Sequence, residues 1–259
     1  MQKASNEDKT RLIEYLGSDI DNCVYLYIDI KTCDICSENV TVWFDEKDGE
    51  IASVLMKYYD SFQVYTRDPA ADITWMKALI DEYGVSMISG PKALIERLDE
   101  MCGEYEASYG AVFECPRERD AQGNKFVEMA TADDTRELAE LLCTDDEFAK
   151  NYKVDILAKQ LADRIREKKG RSYIVRADGK IVASTSTFAE TDDVAVVSGA
   201  IVDRAYRDTD YFTMIDDQMR VDMYRAGKRC FAFASKKRMI TFMSLNNNKC
   251  ADYGKLHRK

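Results

Sequence analysis

The stretch "VVSGAIVDRAYRDTDYFTM", Val196–Met214, decides the fold of this chain. Its first part is a continuous apolar run, as expected of a strand that is buried on both faces of a sheet. Its second part opens an amphipathic helix, because apolar side chains then recur at spacings of three and four. The members of this stripe are Phe212, Ile215, Met219, Met223 and Ala226. Gly227 is a helix stop, so the sequence predicts a buried strand that leads directly into a helix.

A hairpin pattern occurs twice along the chain. The segments "VWFDEKDGEIASVLMKYY" (Val42–Tyr59) and "SYIVRADGKIVASTSTFAE" (Ser172–Glu190) each read as strand, Asp-Gly, charged residue and a strand that opens with Ile. Asp-Gly between two apolar runs is a strong signal for a tight β-turn. Two such hairpins with similar neighbours, about 130 residues apart, predict a duplicated domain.

The link between the two halves is "CPRERDAQGNK", Cys115–Lys125, which is rich in charges and contains Pro and Gly. The predicted domains are therefore residues 1–120 and residues 121–259. The sequence pattern of each half predicts alternating strands and helices, and hence a mixed, mostly antiparallel twisted sheet flanked by helices. The predicted fold class is α/β (α+β) with two tandem domains.

Composition excludes several classes of function. With a formal net charge of -10, nonspecific binding to nucleic acid or to an anionic membrane is not expected. No apolar run approaches the roughly 20 residues of a membrane helix, and no signal-peptide core is present, so we expect a soluble, cytoplasmic protein. The eight cysteines are scattered, and the only histidine is His257. No metal site is expected, and a redox role for Cys33 and Cys36 in "CDIC" is a remote alternative.

The chain resembles the GNAT family of acetyl-CoA-dependent N-acetyltransferases. The resemblance is carried by "VEMATADDTRELAELL", "ADGKIVASTS", "VVSGAIVDRAYRDTDYFTM" and "ADYGKL". Over its full length the chain is similar to bacterial proteins with two tandem GNAT-like halves, in which only the second half keeps the acyl-CoA motif. The resemblance implies acetyl-CoA as cosubstrate and no cofactor in the first half.

The resemblance also implies which residues hold the cofactor. In the family, the pantetheine arm lies along the fourth strand, and the pyrophosphate lies against main-chain amides at the start of the next helix. Gly199 is expected to mark a bulge in that strand. The residues that correspond to this cofactor site are Ala200, Ile201, Val202, Arg207, Asp208, Thr209, Asp210, Tyr211, Phe212 and Thr213.

Two of these positions depart from the family motif, Arg/Gln-x-x-Gly-x-Gly/Ala. Asp210 and Phe212 occupy the places of the glycines, although Arg207 keeps the place of the arginine. A carboxylate about 4 Å from a phosphate would repel it by roughly 1–4 kcal/mol. The alternative is that Asp208 and Asp210 are ordinary residues at a helix N-terminus, where a carboxylate is stabilising, and that the strand binds no ligand.

The catalytic residues are less well marked. Glu190, at the end of the second hairpin, is the candidate general base, with an exposed loop glutamate as the alternative. The family's general-acid tyrosine on the last helix corresponds to Leu245, which cannot donate a proton, and Tyr253 is not assigned that role.

The leading functional hypothesis is direct transfer of acetyl from acetyl-CoA to a primary amine of a small molecule or peptide. The alternative is an inactive GNAT-fold module that binds a ligand or supports a dimer. No nucleic acid or membrane partner is expected, and a homodimer is compatible with the resemblance. The sequence does not identify the acceptor.

Overall fold

The two Asp-Gly hairpins form as predicted in the computed structural model, which describes residues 1–116 and 124–259. Asp48 and Gly49 have φ of 57° and 83°, and Asp178 and Gly179 have φ of 50° and 76°. Positive φ at both central residues is the signature of the type I′ turn, whose twist matches that of the flanking strands. Each hairpin also carries one register irregularity, so the repeat extends beyond the turn itself.

The same order of elements occurs twice. A short strand and helices precede a hairpin, and the hairpin is followed by strand, helix, strand, helix and strand. In the first copy the elements are β1 (Gln2–Lys3), α1 (Lys9–Gly17), α2 (Val24–Thr32), β2 (Val40–Lys47), β3 (Glu50–Tyr58), β4 (Ser61–Thr66), α3 (Thr74–Tyr83), β5 (Met87–Pro91), α4 (Lys92–Met101) and β6 (Tyr105–Glu114).

The second copy repeats this order, with one additional short helix before its hairpin. Its elements are β7 (Val127–Met129), α5 (Thr135–Leu142), α6 (Asp146–Asn151), α7 (Val154–Arg166), β8 (Ser172–Ala177), β9 (Lys180–Glu190), β10 (Val194–Val202), α8 (Tyr211–Arg225), β11 (Arg229–Ala234), α9 (Lys237–Asn246) and β12 (Asn248–Arg258).

The contacts between Cα atoms divide the chain into two units. The first contains Met1–Glu114 together with Phe233–Lys259, and the second contains Cys115–Ala232. The predicted boundary between residues 120 and 121 lies outside the described residues. The predicted second domain, 121–259, differs from the structure in its last segment. The reason is that β12 is hydrogen-bonded to both β5 and β6 and therefore belongs to the first unit.

The first unit contains a mixed sheet in the order β1-β2-β3-β4-β5-β12-β6. Its pairs are antiparallel except for β4 and β5, which are parallel. Helices α3 and α4 cover one face of this sheet with an apolar core that includes Met76, Ile80, Ile95 and Leu98. The apolar face of α4 consists of Leu94, Ile95 and Leu98, which are all buried.

The second unit contains the strand order β11-β10-β9-β8-β7, in which only β10 and β11 are parallel. Helices α5 and α7 pack on one side of the hairpin through Leu138, Leu142, Leu157 and Leu161. Helix α8 packs against other core residues of the unit, and its predicted stripe is confirmed by the burial of Ile215, Met219 and Met223. Ala226 is exposed as its C-cap, and Gly227, with φ of 71°, ends the helix as predicted.

Asp29 on α2 is a largely buried carboxylate that accepts a hydrogen bond from the side-chain amide of Gln63 on β4. Burial raises the pKa of Asp29 to about 6, and the hydrogen bond from Gln63 offsets part of that rise. Because the carboxyl would have a pKa near 3.9 in the unfolded chain, its ionisation destabilises the folded state above about pH 6. This penalty is relieved as the pH falls through 6.

We therefore expect Asp29→Asn to stabilise the protein by about 2 kcal/mol at pH 7.5, since Asn keeps an acceptor for Gln63 and carries no charge. The gain should shrink toward zero near pH 4, where the native aspartate is itself protonated. Urea unfolding at the two pH values measures this difference. A gain of equal size at both pH values would show that the ionisation of Asp29 is not its cause.

Candidate functional site

The candidate site is the point where β10 and β11 separate. Residues Val194–Val197 of β10 pair with Arg229–Ala232 of β11, and beyond Val197 the ladder continues only on the β9 side. Among the described residues, the other edge of Ser198–Val202 has no strand partner. A strand edge with unused N–H and C=O groups is a place where an extended ligand can add as a further strand.

A bulge at Gly199 shapes this open edge. The register with β9 shifts between Ser198 and Ile201, and Gly199 has φ of 68°, so the predicted bulge is confirmed. The buried hydroxyl of Ser184 donates to the carbonyl oxygen of Gly199 at 3.3 Å. The positive φ favours glycine at position 199, and a Cβ there would also lie a tight 3.1 Å from Leu142 Cδ2.

A cleft of about 350 Å³ lies beside this edge. One wall is formed by Ala200, Ile201 and Val202 of β10, which are three of the predicted cofactor residues. The 3₁₀ turn Arg204–Tyr206 and the residue after it contribute Arg204 and Arg207. The opposite wall is the junction between α5 and α6, and its residues are Thr144, Asp145 and Asp146. The volume lies within the range of pockets that hold small ligands.

The junction Arg207–Thr213 presents main-chain amides at the start of α8. Within the described part of the chain, the N–H groups of Asp208, Asp210 and Thr213 have no hydrogen-bond acceptor. Thr209 N–H donates to the carbonyl of Tyr206, and Tyr211 N–H donates to Thr209 Oγ1. Asp210 is the N-cap residue of α8, yet its carboxylate accepts no capping bond. The helix start therefore retains donors for an anion.

The side chains that replace the glycines do not close this junction. Asp208 and Asp210 are exposed, and neither belongs to the first turn of α8. Phe212 is half-buried and is not among the residues that line the cleft. Tyr211 packs beside Tyr206, with 6.0 Å between ring centroids, against the core around Ile215. Asp208 and Asp210 nevertheless place negative charge beside these amides, where it would repel a bound phosphate.

The corresponding junction of the first unit, between β4 and α3, is occupied by its own side chains. Asp68 accepts from the amide of Ala70 at 2.8 Å, and Asp72 accepts from the amide of Thr74 at 2.9 Å. The guanidinium of Arg97 donates to the carbonyls of Pro69 and Ala71. Side chains thus take the place that a phosphate would need, in contrast to the open amides at the start of α8.

Glu190, the predicted general base, lies in a buried polar cluster at the other end of β10. Arg171 donates to both of its oxygens at 2.9 and 2.8 Å, Lys228 donates at 2.6 Å, and the hydroxyl of Thr187 donates as well. Burial favours the neutral acid, but these hydrogen bonds outweigh it and lower the pKa of Glu190. The side chain is only 3 % exposed, so the alternative of an exposed loop glutamate is wrong.

The position of Glu190 also separates it from the cleft. Glu190 pairs with Ala195, five residues before Ala200 on β10, which is roughly 17 Å at about 3.3 Å per residue. A carboxylate held by three donors is a weak proton acceptor. The catalytic role of Glu190 stays a prediction, and its surroundings argue for a structural role.

The acidic wall of the cleft was not predicted from the sequence. The wall residues Thr144, Asp145 and Asp146 lie just after the end of α5. In the sequence they are marked only by the end of the apolar stripe of that helix. The position of the family's tyrosine is occupied by Leu245 on α9, and this leucine is three quarters exposed.

The described residues contain no group of three or more His, Cys, Asp or Glu side chains that could hold a metal ion. Cys33 is partly exposed, Cys36 is exposed, and neither forms a disulfide. None of the helices in the described ranges is long and apolar enough to span a bilayer.

Comparison with solved structures identifies the fold. A Drosophila protein superimposes with a TM-score of 0.70 at 10% identity, covering 100% of this chain and 98% of the other. A GCN5-related N-acetyltransferase from Sphaerobacter thermophilus gives 0.62 at 13% identity, with 99% and 94% covered. A tandem GNAT protein from the clavulanic acid biosynthesis pathway gives 0.58 at 10% identity, with 97% and 94% covered. The chain therefore has a tandem GNAT fold, as the sequence resemblance implies. No family model and no curated protein matches the chain.

Proposed function

We propose that this chain is an N-acetyltransferase that transfers acetyl from acetyl-CoA to a primary amine. The observation that carries the proposal is the proximity of three features: an unpaired strand edge and two arginines that line one cleft, and open main-chain amides at the helix start that follows Arg207. A fold alone does not define an activity, so the proposal rests on these features of the site.

The residues present fit the donor molecule. The free edge of Ser198–Val202 offers main-chain groups to the amide-containing pantetheine arm. The amides of Asp208, Asp210 and Thr213, with the positive end of the α8 dipole, suit the pyrophosphate. Arg204 and Arg207 add charge-assisted donors. When bound, acetyl-CoA supplies an activated thioester; the chain binds it, orients it and excludes water around the reacting carbonyl.

Direct transfer of acetyl from a thioester to an amine requires few groups of the protein. A main-chain N–H near the bulge of β10 can stabilise the negative charge that develops on the thioester oxygen. The carboxylates of Asp145 and Asp146 on the opposite wall favour the approach of the amine in its cationic form, and the amine must lose its proton to solvent before it attacks the thioester. We assign no side chain as general acid, because Leu245 stands at the family's tyrosine position.

The second candidate is a non-catalytic binding module with the same fold. Two observations favour it: the negative charge of Asp208 and Asp210 beside the open amides, and the leucine at position 245. Calorimetric titration with acetyl-CoA, followed by measurement of CoA release over a panel of amines, separates the two. Binding with turnover supports the transferase, whereas binding without turnover on any amine supports the module. If acetyl-CoA does not bind at millimolar concentration, the cleft is not a CoA site and both candidates fail.

Removal of the negative charge at the amides should strengthen binding. We expect Asp210→Gly to tighten the binding of acetyl-CoA by about fivefold to tenfold, because an exposed unit charge about 4 Å from a phosphate costs on the order of 1 kcal/mol. The matched control is Asp217→Gly, which removes a charge from α8 beyond its first turn. Unchanged affinity in Asp210→Gly would place the pyrophosphate elsewhere.

A further inference from the structure

Arg164 lies in the last turn of α7, and one nitrogen of its guanidinium, Nη1, is buried without a hydrogen-bond acceptor among the described residues. Its guanidinium carbon lies 4.7 Å from the centroid of the Phe188 ring. Stacking on an aromatic face satisfies the plane of a guanidinium but not its N–H donors, so a buried donor remains unsatisfied.

The carboxylates near Arg164 in the chain are used by other cations. Asp163 accepts from Arg166 at 3.2 Å, and Glu167 pairs with Lys169 at 2.6 Å. Glu190 is held by Arg171 and Lys228. A buried donor on a charged group that lacks an acceptor is costly, which makes it a candidate position for an anionic group of a ligand.

Phe188 connects this guanidinium to the bulge of β10, although neither residue lines the cleft itself. The ring edge of Phe188 lies 3.4 Å from where a Cβ of Gly199 would be, so Phe188 contacts the bulge of β10. Phe148 of α6 packs against the same ring, with 6.2 Å between centroids. Arg164 thus lies on the α5 and α7 side of the sheet, near the level of the bulge.

This position corresponds to the reacting end of the donor. The proposed function assigns the pyrophosphate to Arg204 and Arg207, beyond the C-terminal end of β10. The acyl end therefore runs back along β10 toward Gly199. The positive charge that stacks on Phe188, the ring in contact with Gly199, is then available to the acceptor and not to the phosphates, which the proposal assigns to the opposite end of the open edge.

We infer that Arg164 is a specificity residue that binds a carboxylate of the acceptor, so that the preferred substrate is an amine that also carries a carboxylate. This inference rests on the proposed function for the identity of the site, and on the unsatisfied guanidinium for the charge of the ligand. A planar fork of N–H donors matches a carboxylate with two parallel hydrogen bonds, whereas a neutral carboxamide offers a single acceptor oxygen.

The test uses two probes of nearly the same shape, the anion benzoate and the neutral benzamide, titrated by calorimetry into the full-length protein. We expect benzoate to bind about tenfold or more tightly than benzamide, because hydrogen bonds to a charged group are worth more than neutral ones. Arg164→Gln should remove that preference. The control is Arg166→Gln on the same helix, whose partner Asp163 is at the surface, and it should keep the preference.

Equal affinity for the two probes in the wild-type protein, or a preference that survives Arg164→Gln, would overturn the inference. Titration with acetyl-CoA in parallel separates it from the proposed function. If acetyl-CoA fails to bind while benzoate is still preferred through Arg164, the transferase proposal fails and the anion subsite stands. If acetyl-CoA binds and benzoate is not preferred, only the carboxylate specificity fails.

Discussion

Substitution of Glu190 by Gln should destabilise the protein by about 3 kcal/mol, because it leaves two cations in a largely buried position without their counter-charge. Arg171 and Lys228 both donate to this carboxylate, and their side chains are 30 % and 13 % exposed. Water can reach Arg171 in part, so we place the expected loss at the lower end of the range for broken buried pairs. Urea unfolding at pH 7 measures it.

The pH dependence of this effect has a defined sign. The pKa of Glu190 is lowered in the folded state, so its ionised form contributes stability above the unfolded-state pKa of about 4.3. This contribution is lost as the pH falls through the lowered folded-state pKa. The difference between wild type and Glu190→Gln should therefore be full at neutral pH and shrink in acid.

A matched control is Glu128→Gln, which removes an exposed carboxylate that pairs with Arg176 in the same unit. Exposed pairs of this kind contribute at most about 1 kcal/mol. If Glu190 were instead a general base, Glu190→Gln would abolish turnover and leave unfolding at neutral pH unchanged. That outcome would contradict the structural role that we assign to the cluster.

The second large effect is expected at Arg207. We predict that Arg207→Ala weakens the binding of acetyl-CoA by about tenfold to hundredfold, because hydrogen bonds between a guanidinium and a phosphate contribute about 1.5–3 kcal/mol. Arg207 lies on the cleft beside the open amides, and it is exposed, so its removal costs little stability. Calorimetry with acetyl-CoA measures the change.

The control for Arg207 is Arg225→Ala, which removes the same charge from the last turn of α8. It changes the net charge equally but is about 15 residues of helix away from the amides, and it should leave affinity unchanged. An equal loss in both variants would indicate long-range attraction of an anionic ligand and not a contact. No loss in Arg207→Ala would mean that the pyrophosphate is bound elsewhere.

Much of the fold could be predicted because its signals are local. The two Asp-Gly turns depend on four consecutive residues, and the bulge at Gly199 is marked by a glycine inside an apolar run. The stripe of α8 is a periodicity within one helix. Each of these features needs no information from distant parts of the chain, and each is confirmed.

The features that could not be predicted depend on contacts between distant residues. Glu190 is buried by Arg171 and Lys228, which are 19 and 38 positions away in the chain. The acidic wall of the cleft comes from the junction of α5 and α6, about 50 residues before β10. The insertion of β12 between β5 and β6 pairs the last strand with strands of the first half. No spacing in the sequence encodes these partners.

The central claim is that the free edge of Ser198–Val202 and the amides at the start of α8 bind acetyl-CoA together. Hydrogen exchange of peptides that cover residues 198–213, with and without saturating acetyl-CoA, tests it directly. We predict that the amides without an acceptor in this segment, among them those of Asp208, Asp210 and Thr213, exchange rapidly in the free protein and become protected by the ligand, with no comparable change over residues 64–76 of the first unit. Protection elsewhere in the chain, or none at all at a concentration where calorimetry shows binding, would contradict the claim.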